Sequence, residues 1–130
     1  MARMSAPSPP KTWPSKITVK RKSRVLDVTF SDGQRFELPF EYLRVYSPSA
    51  EVQGHGPGQE VLQFAKENVR VTGAEPIGHY AVRLIFDDGH DSGLYTWKYL
   101  YELGAEYEMR WQRYLERLAG YGYQRKPVSE

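Results

Sequence analysis

Three imidazoles and a scatter of hydroxyls and carboxylates are what this chain offers for chemistry, because none of its 130 residues is cysteine. Without thiolates it can build no cysteine-ligated zinc or iron–sulfur site, no cysteine nucleophile and no disulfide framework. His55, His79 and His90 are separated by 24 and 11 residues, with no His-x-x-x-His spacing to set two ligands on one helix face. His55 stands between Gly54 and Gly56, where backbone can come close to a ligand; His90 follows an Asp-Gly turn. Asp87, Asp88 and Asp91 crowd around Gly89, but the segment has neither the length nor the closing glutamate of an EF-hand loop, so it reads as turn chemistry. Ser47, Ser49 and Ser92 lie outside any Gly-x-Ser-x-Gly elbow, and Gly54-His55-Gly56-Pro57-Gly58 lacks the Lys-Ser/Thr of a phosphate loop.

The elements that must hold these groups announce themselves by pattern. Residues 1–16 are rich in Pro, Ser and Lys around Trp13 and read as a flexible arm. From Ile17 strand-like alternation runs through Phe30 to Ser31-Asp32-Gly33-Gln34, and Phe36 and Leu38 form the returning strand. Pro39 opens a short helix over Phe40–Arg44. Ser47–Gln59, with three Gly and two Pro in thirteen residues, is a loop, and a brief helix is expected around Glu60–Lys66. Val69 and Val71 resume strand character. A second hairpin, Tyr80–Tyr95, turns at Asp87-Asp88-Gly89-His90 and leads into a helix from Trp97 that Gly104 is expected to stop. Tyr107, Trp111, Tyr114, Leu115 and Leu118 then mark one face of a C-terminal amphipathic helix.

The two hairpins resemble one another. Phe30-Ser31-Asp32-Gly33-Gln34 matches Phe86-Asp87-Asp88-Gly89-His90 at a spacing of 56, and Phe40-Glu41-Tyr42-Leu43 matches Trp97-Lys98-Tyr99-Leu100 at 57. Recurring turn chemistry and an internal duplication account for this equally well. The expected fold is α+β: two β-hairpins forming a mainly antiparallel sheet, short helices on one side and the C-terminal helix added.

Charge is nearly balanced, 18 Lys and Arg against 16 Asp and Glu, so no polyanionic partner is demanded. The basic run Lys16, Lys20, Arg21, Lys22 and Arg24 reads as a charged strand edge rather than a nucleic-acid face. No apolar window is long enough to span a membrane, and a cytoplasmic location is expected.

Several segments together carry a family resemblance: Glu37–Arg44, Ser47-Pro48-Ser49-Ala50-Glu51, Gly54-His55-Gly56 and Phe86–Trp97. In order, they resemble the gamma-butyrobetaine-hydroxylase-like N-terminal domain family of largely uncharacterised small bacterial proteins. The resemblance spans residues 17–104, leaving 105–120 as an added helix and 121–130 as a tail. It implies an accessory role, since in carnitine-pathway hydroxylases such a domain precedes a separate iron- and 2-oxoglutarate-dependent catalytic domain, and plastid relatives fuse it to an iron–sulfur carrier. It also implies a zinc site, made in the hydroxylases by three cysteines after the Leu-Arg pair and the histidine of the Asp-Gly-His turn. Here Ser47 and Ser49 occupy the thiolate region and only His90 matches a ligand.

The expectation is therefore a non-catalytic binding module for a protein partner in oxygenase or iron–sulfur metabolism, with no cofactor. Its surface is expected around Ser47, Ser49, His55, His90 and Trp97, and a homo-oligomer could form through the C-terminal helix. The alternative is a metal-binding protein holding zinc or iron weakly on His55 and His90 with a carboxylate such as Glu51 or Asp91. Binding of nucleic acid through Lys20–Arg24 and independent enzymatic activity rank below these.

Overall fold

A computed structural model describes residues 12–54 and 60–127. Two three-stranded antiparallel sheets and four helices make up an α+β fold. The first sheet runs β1 (Pro14–Lys20), β2 (Val25–Phe30), β3 (Arg35–Pro39), followed by α1 (Phe40–Val45) and the single turn α2 (Ala50–Gln53). The second runs β4 (Val71–Ile77), β5 (Ala81–Phe86), β6 (Leu94–Thr96), followed by α3 (Trp97–Ala105) and α4 (Tyr107–Gly120). The two hairpins thus sit in separate sheets, each completed by a further strand, rather than in one.

Period-two alternation decides which faces are buried. Leu26, Val28 and Phe30 of β2 and Val82, Leu84 and Phe86 of β5 point inward, where they meet Phe40 and Leu43 of α1 and Leu100 and Leu103 of α3 in one core. Each such side chain contributes about 1.5–3 kcal/mol by leaving water.

The halves are a structural repeat. Gly33 and Gly89 take φ of +90° and +88°, and in each turn the phenylalanine N–H donates to the carbonyl four residues on, Phe30 to Gln34 at 2.8 Å and Phe86 to His90 at 2.9 Å. Each first strand bulges at the same place. The bulged hydroxyls, Ser15 and Thr72, donate to Thr29 O at 3.2 Å and Ile85 O at 3.3 Å. Helix entry repeats as well, with Phe40 N donating to Arg24 O and Trp97 N to Tyr80 O. So many irregular features at spacings of 56–57 select duplication over coincidental turn chemistry.

Four expectations change in detail. β1 begins at Pro14, and Trp13 is tied to Ser31 through its carbonyl and its N–H, so the strand reaches back into the segment read as an arm. Residues 60–66 are not helical: Val61 N donates to Val52 O and Tyr114 Oη donates to Gln63 O, which tie the segment to α2 and α4, and Ala65 turns the backbone at φ of +60°. Gly104 does not stop its helix, which continues to Ala105. Its glycine is required because the Phe36 ring lies where a β-carbon would be. Beyond α4, residues 121–127 fold back: Tyr123 Oη donates to Glu67 at 2.6 Å, and Arg125 pairs with Glu41 while lying over the Trp111 ring.

Candidate functional site

The turn between β5 and β6 and the segment after α1 bring the chemically capable side chains together. Strand β5 sets Phe86, and the Asp-Gly turn swings His90 inward, leaving it 5% exposed. On the other side, the chain leaves α1 at Tyr46, buries Ser47 completely, and starts α2 with Ser49 as its N-cap, which accepts from Glu51 N at 3.2 Å.

The polar atoms form a closed circuit. Ser47 Oγ stands 2.8 Å from His90 Nε2, and Glu51 Oε1 lies 3.0 Å from His90 Nδ1. Ser92 Oγ donates to the same carboxylate oxygen at 3.1 Å and lies 2.7 Å from Ser49 Oγ; Ser49 N donates to Ser47 Oγ at 3.2 Å. A neutral His90 satisfies every member: the Ser47 hydroxyl donates to Nε2, Nδ1–H donates to Glu51, and Ser49 donates to Ser92. Burial, and then the nearby Arg44 guanidinium, lower the His90 pKa, while Glu51 and Asp88 pull it the other way.

Carboxylate, imidazole and hydroxyl in series are the connectivity of an activated serine. Access decides against that use. Ser47 is 0% exposed, and a β-carbon on Gly93 would come within 2.5 Å of its hydroxyl oxygen, so no acyl group can reach Oγ. The assembly works as a clamp between the α1–α2 segment and the β5–β6 turn. A second clamp lies beside it: Asp88 accepts from Arg44 Nε at 2.9 Å and Lys66 Nζ at 2.6 Å, and these cations, with their hydrogen bonds, hold its carboxyl below the usual range despite burial.

These positions also test the zinc site that the resemblance implies. Ser47 Oγ and His90 Nε2 are adjacent, as two ligands would be, but they bond each other, and a hydroxyl is a poor zinc ligand beside a thiolate. Among the described residues no three His, Asp or Glu side chains converge on a point. The donor set does not fit zinc.

Of the remaining sequence candidates, Trp97 lies at the opposite end of β5 from His90, its Nε1 donating to His79 O at 2.7 Å. His55 falls outside the described residues. The basic run is engaged locally, with Lys20 on Asp27 at 2.8 Å and Arg21 on Thr72 O at 3.2 Å. The apolar face of α4 is covered by its own chain, Tyr107 and Trp111 packing on Tyr42.

Sequence reasoning missed a cleft of about 640 Å³ between residues 60–63 and α4, floored by Val45 and Tyr114. Arg110, Arg113 and Arg117 line it, and their i, i+3, i+7 spacing was its one signal. Arg110 is fixed by Glu106 at 2.8 Å and lies 5.4 Å and 5.7 Å from the Tyr46 and Tyr99 ring centroids.

A duplicated strand–strand–strand–helix domain, with a polar network joining Ser47, His90 and Glu51, defines the class of protein. The chain belongs to the gamma-butyrobetaine hydroxylase-like, N-terminal family, whose model matches residues 17–101. It is similar to a protein whose solution structure was determined by NMR, at 49% identity over 91% of this chain and 93% of that one, with a TM-score of 0.76. A second NMR structure is 46% identical over 98% and 95%, with a TM-score of 0.79. A crystallised protein of unknown function from Acidithiobacillus ferrooxidans, described as belonging to the DUF971 family, is 42% identical over 72% and 93%, with a TM-score of 0.61. No curated protein matches. No helix among the described residues is long and apolar enough to cross a membrane.

Proposed function

We propose that this chain is a non-catalytic accessory module that docks a protein partner linked to oxygenase or iron–sulfur metabolism. The observation that carries the reading is the enclosure of Ser47: among the described residues it is the hydroxyl that stands on an imidazole, and it is 0% exposed. The polar network spends its hydrogen bonds on holding the 46–53 segment in place beside an open cleft, as a recognition surface requires.

Copurification from cells that express the chain, followed by reconstitution with the purified partner, tests this. The expected result is a stoichiometric complex that forms equally well with Ser47→Ala, provided that variant folds. Hydrolysis of activated esters by the purified chain, abolished by Ser47→Ala and accompanied by labelling of Ser47 with a fluorophosphonate, would overturn it.

A further inference from the structure

Resting on that reading, we propose that the cleft between residues 60–63 and α4 seats an acidic segment of the partner, read by Arg113 and Arg117. Among the residues lining the cleft, three guanidinium groups face one carboxylate, Glu60. Arg110 is already neutralised by Glu106 and held against two tyrosine rings. Arg113 and Arg117 are exposed and make no ion pair among the described residues, in a chain where Arg35, Arg44, Arg83 and Arg125 each have a carboxylate partner. One helical turn apart, they span about 6 Å along the axis, so both can engage neighbouring carboxylates as bidentate forks.

Apolar surface continues past the arginines and says that the occupant is a chain rather than a bare anion. Val61, Phe64 and Tyr121 are all exposed, Tyr121 by 73%, and Phe64 meets Tyr121 edge to face at 6.0 Å. A small anion would fill the guanidinium end and leave this lip in water. A peptide with acidic and large apolar residues uses both, the apolar residues supplying affinity and the carboxylates register and on-rate. Nucleic acid suits the face less well, because Glu60 stands in the cleft, Glu106 caps helix α4, and Glu108 and Glu116 share that helix with the arginines.

The test is fluorescence anisotropy with the full chain and a fluorescein-labelled dodecapeptide repeating Glu-Glu-Leu, against its Gln-Gln-Leu counterpart, at low salt. Saturable binding of the acidic peptide is expected, weaker by about tenfold for the glutamine peptide and for Arg113→Gln/Arg117→Gln. A charge-matched control, Lys22→Gln/Arg83→Gln, should bind like wild type, and circular dichroism should show all variants folded. Equal loss in the control, no preference for the acidic peptide, displacement by equimolar citrate, or tighter binding of a twelve-nucleotide oligothymidylate would each overturn the assignment. If the reconstituted partner binds Arg113→Gln/Arg117→Gln as tightly as wild type, the docking reading stands and this seat falls; if no partner exists, the docking reading falls first.

Discussion

Tyr42 and Tyr99, 57 residues apart, make the same hydrogen bond in opposite directions. Tyr42 Oη of α1 donates to Leu103 O of α3 at 2.7 Å, and Tyr99 Oη of α3 donates to Tyr46 O at the end of α1 at 2.5 Å. Leu103 lies 57 residues after Tyr46, so the pair is reciprocal in the way a two-fold contact between identical subunits is. Duplication followed by fusion of a pairing unit explains this directly. Burial raises the pKa of both phenols, that of Tyr99 to about 12, so both remain donors at any physiological pH.

Tyr42→Phe and Tyr99→Phe should each lower stability by about 1–3 kcal/mol, since each leaves a carbonyl unpaired at the helix–helix contact. Chemical denaturation checks this. A loss confined to one variant would mean that the two halves no longer contribute alike.

The clamp sets a pH dependence. His90 has a folded pKa below its ordinary 6.5 because it is buried and near Arg44. Below pH 6.5 the unfolded chain binds a proton that the folded chain resists, so stability falls as pH drops from 6.5 toward the folded value and is flat above. Melting temperature measured from pH 8 to pH 5 should show this slope, and His90→Asn should reduce it while lowering stability at pH 8 by about 1–3 kcal/mol. An unchanged slope in His90→Asn would assign the acid sensitivity to other groups.

Local chemistry was legible in the sequence and distant closure was not. Asp32-Gly33 and Asp88-Gly89 marked both turns because positive φ leaves a signature in two adjacent residues. Pro39-Phe40 and Thr96-Trp97 fall at helix starts for equally local reasons. The pairing of His90 with Ser47 spans 43 residues and follows from two sheets meeting around α1 and α3, which no periodicity encodes. Residues 60–66 misled for the converse reason: local propensity permits a helix, and hydrogen bonds to α2 and α4 hold the backbone out of one.

The repeated turns make a matched pair of substitutions informative. Nothing lies within 4 Å of a β-carbon placed on Gly33 or Gly89, so Gly→Ala there tests backbone strain alone. Each should cost about 1 kcal/mol, and the two should agree closely because φ differs by 2°. Denaturation midpoints of Gly33→Ala and Gly89→Ala decide it; a much larger loss at Gly89 would show that the turn transmits strain into His90 and the clamp.

Gly104 lies in the last turn of α3, where alanine is ordinarily favoured over glycine by up to about 1 kcal/mol. The opposite is expected here. A β-carbon at this position would lie 2.4–2.7 Å from three ring atoms of Phe36, and Phe36 is wedged edge-on against Phe30 and Tyr101, so the ring cannot retreat without opening the β2–β3 face. Gly104→Ala should therefore destabilise by about 1–3 kcal/mol, the usual penalty for overpacking. Combining it with Phe36→Ala, which removes all three clashing atoms, Cγ, Cδ1 and Cδ2, should recover part of that loss relative to Phe36→Ala alone. Additive losses in the double variant would place the strain elsewhere.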